Sequence, residues 1–274
     1  MMRSASRQAL ETLQDEQRSA VGPRAHATTL VTLAQELYAV ADLLVGNPRL
    51  RRTVGDPATP ADDRVGILEG LIGSQIGEAA RRVVAAAVRL RWSNPWDLCD
   101  SLESAGDDAL FASAEKRSEL DTVEDELFRF ERIIQGDGEL VALLDEYTVD
   151  PARRRTLLDS LLGGKVSDAT KALLDHAVSS QRKRSILLAI DDLLELAAKR
   201  QERSIARVVS ASPLSDAQQR KLTRILTEMY GREITLRTAL DPAVQGGLVI
   251  RVGDEVIDGS VAARFATARS SLTT

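Results

Sequence analysis

The chain has 274 residues, a length that suits about two domains, and 43% hydrophobic with 28% charged residues is the make-up of a folded protein. Aromatic residues are only 3%, so the core has to be built from Leu, Val, Ile and Ala, as in helical bundles. A net charge of −5 excludes a broad phosphate-binding face, which needs clustered Lys and Arg, so no nucleic-acid partner is expected. The single cysteine, Cys99, has no internal disulfide partner; it reads as a buried small hydrophobe in a reducing compartment. The N-terminal MMRSASRQALETLQDEQRSA carries charges throughout and no apolar block, unlike a signal peptide. The most apolar run, Val83 to Val88, stops at Arg89 and Arg91, far short of a bilayer span. The chain is expected to be soluble, with no direct membrane insertion and any membrane association made through a partner.

Apolar spacing predicts helices over Leu30 to Val45, Asp62 to Ile72 and Ile76 to Leu90, with a short turn at Leu50. Pro95 then breaks the chain before a helix starting near Trp96. A second series follows the same plan. Leu120, Val123, Leu127, Phe130, Ile133 and Ile134 form one inward stripe ending near Gly136. Asp150-Pro151 supplies a cap and a proline at the first position of a helix through Leu157, Leu158, Leu161 and Leu162, which Gly163-Gly164 ends. Ser167 caps a helix through Leu173 and Val178, and Ser185 precedes one from Ile186 to Arg200 with Leu187, Ile190, Leu194 and Ala197 inward.

The two series match without a gap at an offset of 90 residues, from 36 to 126. Glu36-Leu37-Tyr38 falls on Glu126-Leu127-Phe128, Gly46 on Gly136, Arg64 on Arg154 and Gly73 on Gly163. Helix-end glycines and apolar phase coincide, which indicates an internal duplication. Leu50 with Leu140, and Leu71 with Leu161, are expected at equivalent buried positions.

After Arg203 the period changes. Ile205 to Val209 is a short β-branched strand, and Ser215 with Gln218 forms a capping box on a helix through Leu222, Ile225, Leu226 and Met229. Ile234, Leu236 and Leu240 alternate as another strand. Leu248 to Val252, Gly253-Asp254 and then Val256-Ile257 read as a hairpin, since glycine enters the required positive φ at little cost. Ser260 can cap a closing helix carrying Val261, Phe265, Ala268 and Leu272. The fold class is therefore mainly α: two tandem helical-bundle units, 1–109 and 110–203, followed by a small α/β C-terminal domain, 204–274.

No constellation for chemistry emerges, and no catalytic, cofactor-binding or metal-binding residue is assigned. His26 and His176 lie in different helical units without the convergent partners zinc requires, and His176 beside Asp175 reads as a partly exposed surface residue. Gly246-Gly247 precedes a strand, not a helix N-terminus, so it reads as a tight turn and not a phosphate loop. Asp62-Asp63 and Asp107-Asp108 point to different helix faces and read as solvated charge or helix-start residues. Arg153-Arg154-Arg155 and Arg182-Lys183-Arg184 are either solvated surface or a partner-docking patch. Trp92 and Trp96, flanking Asn94-Pro95, either cover the end of the first bundle or anchor an interface.

The segment from Asp241 onward resembles the C-terminal signature of the δ subunit of F-type ATP synthases, the family of the oligomycin-sensitivity-conferring protein. Asp241, Pro242, Gly246, Gly247, Val252, Gly253, Asp254, Val256, Ile257, Asp258, Gly259 and Ser260 match the family pattern in order and spacing. The resemblance covers roughly Leu110 to Leu272, and the first unit looks like an added copy of the family's helical domain. It implies a non-catalytic stator subunit of the proton-translocating synthase, part of a hetero-oligomeric complex on the cytoplasmic side of the bacterial cell membrane. The family's helical domain binds N-terminal helices of the ATP synthase alpha subunits, and its C-terminal domain meets the peripheral-stalk b subunits. The second unit is favoured for the contact with the head; the first would brace the stalk or replace part of a second stalk helix. The alternative reading is a helical scaffold or adaptor unrelated to ATP synthesis.

Overall fold

A computed structural model of the chain describes residues 4–146, 148–179, 185–203, 205–231, 234–241, 244, 247–252 and 255–258. They belong to two compact units, Met1–Leu196 and Ala197–Thr274.

The first unit is helical. Its elements are α1 (Ser4–Val21), α2 (Ala27–Gly46), α3 (Pro48–Gly55), α4 (Ala61–Ile72), α5 (Glu78–Arg89), α6 (Pro95–Lys116), α7 (Leu120–Gln135), α8 (Gly138–Asp145), α9 (Pro151–Leu162), α10 (Asp168–Ser179) and α11 (Ile186–Arg203). The boundary between the two units falls inside α11. Moving α3, α4 and α5 along the chain by 90 residues lays them end for end on α8, α9 and α10. Moving α1 by the same offset lays it on α6, which is thus the last helix of one bundle and the first of the next. The helix runs unbroken through positions 109 and 110. Sequence periodicity did not announce α1, because its apolar positions are few: Ala9 and Leu13 are buried among charged neighbours.

Matching side-chain bonds accompany the matching helices. The backbone N–H of Gly77, at the start of α5, donates to Glu36 of α2 at 2.9 Å. At the start of α10 the N–H of Ser167 donates to Glu126 of α7 at 3.1 and 3.0 Å. In each bundle a carboxylate from one helix satisfies a donor left open at the N-terminus of another, where the helix dipole favours negative charge. Arg64 and Arg154 are a buried pair in the same register, and the Arg64 Nη1 donates to the carbonyl of Val54 at 3.2 Å.

The inward stripes hold except at informative places. Leu50 and Leu140 are equivalent, yet both are only half-buried. Leu71 and Leu161 are equivalent too, but they are 53% and 39% exposed, and Ile133 of the expected inward stripe is 62% exposed. In α11 the buried side chains are Ile186, Ile190, Leu193 and Ala197, with Leu187 and Leu194 half-buried, so the inner face is turned slightly from the expected one. Helix α2 is long and apolar enough, by composition alone, to cross a membrane. Here it is a core helix: Leu30, Leu33, Leu37, Val40 and Leu44 are buried and it packs along α6.

The second unit contains β1 (Ile205–Ser210), α12 (Asp216–Tyr230), β2 (Thr235–Leu240), β3 (Leu248–Val252) and β4 (Glu255–Asp258). The sheet order is β2-β1-β3-β4. β1 runs parallel to β2 through α12 and antiparallel to β3, which pairs antiparallel with β4. Ala206, Val208, Ile250 and Val252 of the sheet bury against Leu226 of α12 and Ile234. The Ser215 and Gln218 capping box forms as read from the sequence. Gly247 enters β3 with φ +88°, a conformation that glycine adopts at least cost, at the expected tight turn. Gly246, the Gly253-Asp254 turn and the helix expected from Ser260 lie outside the described residues.

At Gly106 the ring of Tyr38, from α2, packs directly on the backbone of α6. A Cβ there would lie 2.4 Å from Cε1 of Tyr38, closer than carbon atoms can sit. Gly106→Ala is therefore expected to destabilise the helical unit by roughly 1–3 kcal/mol, the usual cost of overpacking. Denaturant unfolding followed by circular dichroism measures it, and an unchanged midpoint would contradict this packing.

Candidate functional site

Among the described residues no group of three or more His, Cys, Asp or Glu side chains is arranged to hold a metal ion. His26 is exposed at the start of α2. His176, half-buried on α10, stacks on the ring of Tyr38, with centroids 3.6 Å apart and planes 8° from parallel. It is thus part of the packing between the first and second bundles. The Tyr38 hydroxyl donates to Asp107 Oδ1 on α6 at 2.6 Å. That corrects the reading of Asp107-Asp108 as solvated charge: Asp107 is half-buried and accepts from Tyr38, and Asp108 is itself buried. Asp62 and Asp63 do stand exposed in the first turn of α4, where helix-start acids belong.

The arginine run at 153–155 splits. Arg153 and Arg155 are exposed, whereas Arg154 is buried; burial pulls its guanidinium below the usual range while Asp145 and Glu146 oppose that shift. The run at 182–184 lies outside the described residues. Trp92 is buried and its indole N–H donates to the carbonyl of Ala87 at 2.8 Å. Trp96 is 38% exposed and carries the Arg51 guanidinium over its ring at 3.6 Å. The same Arg51 donates to the carbonyls of Leu44 and Val45 at 2.9 and 3.0 Å, closing the C-terminus of α2. The tryptophan pair therefore covers the end of the first bundle. Cys99 is fully buried, as expected of a small hydrophobe.

A carboxyl pair escaped sequence reasoning altogether. Glu131 of α7 faces Asp191 of α11, and burial followed by that neighbour pushes the Glu131 carboxyl up from its ordinary value. The partners are too far apart in the chain for any spacing rule to join them. The surface is distinguished by exposed large apolar side chains. On the second bundle these include Phe128, Ile133, Leu143 and Leu161, and in the C-terminal unit Ile225, Met229, Leu240 and Val256. Single exposed apolar groups are ordinary on a protein surface, whereas a contiguous patch of them marks a place that a partner covers.

The architecture defines a class: a mainly α-helical chain with a small α/β unit in its C-terminal part. Comparison with known proteins supplies the family. The sequence model described as "ATP synthase delta (OSCP) subunit" matches residues 108–272. A protein from Streptomyces avermitilis named ATP synthase subunit delta is 43% identical over 240 residues, 88% of each chain. One of the same name from Thermobifida fusca is 43% identical over 241 residues, 88% of this chain and 90% of the relative. Another from Acidothermus cellulolyticus is 38% identical over 272 residues, 99% of both chains. The chain belongs to the ATP synthase delta (OSCP) subunit family. Helices α1 to α5 precede the family match, yet the Acidothermus protein aligns with them too.

Tyr38 gives this packing a pH signature. Burial, then the charges of Asp107 and Glu103, hold its phenol well above the ordinary value of 10.0. The unfolded chain releases that proton first, so the stabilisation present at lower pH is lost as the pH rises above the ordinary value. Thermal melts over roughly pH 8–11 should show a falling midpoint at the alkaline end. Tyr38→Phe is expected to flatten that fall; an equally steep fall in the variant would contradict the assignment.

Proposed function

We infer that this chain, a peripheral-stalk subunit of the F-type ATP synthase, works as a stator connector through binding alone. A rotary enzyme delivers work only if its catalytic head is kept from turning with the rotor, and a connector meets that need mechanically. Bundles with exposed apolar faces accept a partner's amphipathic helix in a groove, a mode that needs no reacting group. Long service under torque calls for slow dissociation at both ends, a property of the off-rate and not of encounter.

In this reading the second bundle takes the N-terminal helices of the alpha subunits, and the C-terminal unit meets the b subunits of the stalk. The exposed Phe128, Ile133, Leu143 and Leu161 on the former, and Ile225, Met229 and Val256 on the latter, support the division. The working parts are residues 1–109, 110–203 and 204–274, with α6 common to the first two. The complex is membrane-associated, and the chain sits on its cytoplasmic side at the bacterial membrane. Family membership across nearly the full chain is the observation that carries this conclusion.

Isothermal titration of the full chain with a peptide from the alpha-subunit N-terminus tests it. Binding with a Kd of micromolar or tighter, about −8 kcal/mol, is expected, with no ATP hydrolysis by the chain alone. No heat with that peptide, together with no binding to stalk subunits, would overturn the connector reading.

A further inference from the structure

Alternation along the strands of the second unit sends one set of side chains into its core and the other set to the opposite face of the sheet. Ala206, Val208, Ile250 and Val252 take the core face. Register decides what meets on the other. Arg207 of β1 lies directly opposite Arg237 of β2 on one side and Arg251 of β3 on the other. Three arginines thus stand in one row across neighbouring strands, and all three are exposed. Their spacing along the chain gives no hint of the row, because α12 lies between Arg207 and Arg237.

Like charges directly opposite one another on a sheet are destabilising, and none of the three arginines forms an ion pair among the described residues. The acids of this face stand to one side of the row. Asp258 is opposite Val249, two residues along β3 from Arg251, and Asp241 lies just beyond the end of β2. Val256, opposite Arg251, closes the row on β4. Ile205, Val209 and Val249 of the same face are half-buried, so Val256, 49% exposed, is its one large uncovered apolar group among the described residues. Protein interfaces are anchored on apolar side chains at their centre, whereas what this face presents at its centre is charge. Neighbouring strands lie about 4.8 Å apart, so the row spans roughly 10 Å, and long arginine side chains converge easily on one anion. Guanidinium groups pair with phosphate oxygens through two-point contacts. A chain of linked phosphates brings several charges to such a row, where a single phosphate brings fewer. The net charge of −5 excludes a broad basic face but not this local one, because charges are screened beyond about 8 Å.

We propose that the β2–β1–β3 face of the second unit binds a linear polyphosphate group, its oxygens bridging Arg237, Arg207 and Arg251. Arg207, in the middle of the row, serves both neighbours. The proposal goes beyond the connector reading and does not depend on it: it gives the C-terminal unit an anion site besides any contact with a stalk subunit. A nucleoside triphosphate and inorganic polyphosphate carry the same chemistry. Binding neutralises the row and stabilises the unit that holds it.

Two-dimensional NMR of the full chain tests it, with sodium tripolyphosphate and magnesium-free ATP titrated separately at about 0.15 M KCl. The expected result is saturable movement of the Arg207, Arg237 and Arg251 amide signals with a Kd below about 1 mM. Arg207→Gln is expected to raise that Kd at least tenfold, while Arg220→Gln, exposed on α12, changes it less than about twofold. Arg207→Gln removes both like-charge pairs, so it should fold at least as stably as the unsubstituted chain. Arg251→Gln, at one end of the row, provides the same test in a second variant. Equal affinity for the two probes assigns the site to the polyphosphate group alone, and tighter binding of ATP assigns it to a nucleotide. Signal movements that do not saturate, that added KCl reproduces, or that persist with unchanged Kd in both variants would overturn the proposal. So would a purified b subunit that shifts the three arginine signals when tripolyphosphate does not, since the row would then be a protein contact.

Discussion

Helix α6 is buried on more than one face, and the rest of the helical unit depends on that constraint. Leu98, Leu102, Leu110 and Phe111 are all inaccessible, and Cys99, Ala105 and Ala109 fill the closer approaches. A helix enclosed this way leaves no side for polar groups to face water, so each must find a partner in the protein. Ser101 Oγ donates to the carbonyl of Leu98 at 2.8 Å, and Ser113 Oγ to that of Ala27 at 3.0 Å. The backbone carbonyl of Ala105 accepts from Gln17 of α1 at 2.9 Å. Gly106 and Asp107 receive the ring and the hydroxyl of Tyr38. Sharing α6 joins the two bundles without a linker between them, which suits a part that transmits load.

Local rules read well from the sequence wherever the determining residues are neighbours in it. The Ser215 and Gln218 capping box, the strands on either side of α12 and the turn at Gly247 each follow from a few adjacent residues. The offset of 90 was legible because helix-end glycines and Glu36-Leu37-Tyr38 recur in register with Glu126-Leu127-Phe128. Pairs separated by long stretches of chain were not legible: Tyr38 with His176, and Glu131 with Asp191, meet only once the helices pack. Helix α1 was missed because it buries few apolar side chains, and Ser6, which accepts from the N–H of Ser93 at 2.9 Å and donates to Asp97 at 2.6 Å, gives no periodic signal.

Ile133 and Leu161 mark a different limit. An apolar stripe fixes which face of a helix avoids water but not whether the cover comes from the same chain. Both sit in phase with the core and both are exposed. In the proposed connector role, such positions are the ones a partner would cover. Arg154 is the reverse case, a charge in a basic run that folding takes inside, where Asp145 and Glu146 lie near enough to act on it.

A stator connector has to bridge the catalytic head and the stalk physically. The most direct measurement immobilises the purified catalytic head and determines how much soluble stalk b subunit it retains with and without the chain. Retention that requires the chain and rises in proportion to it is the predicted result. Equal retention of the b subunit in its absence would contradict the bridging role.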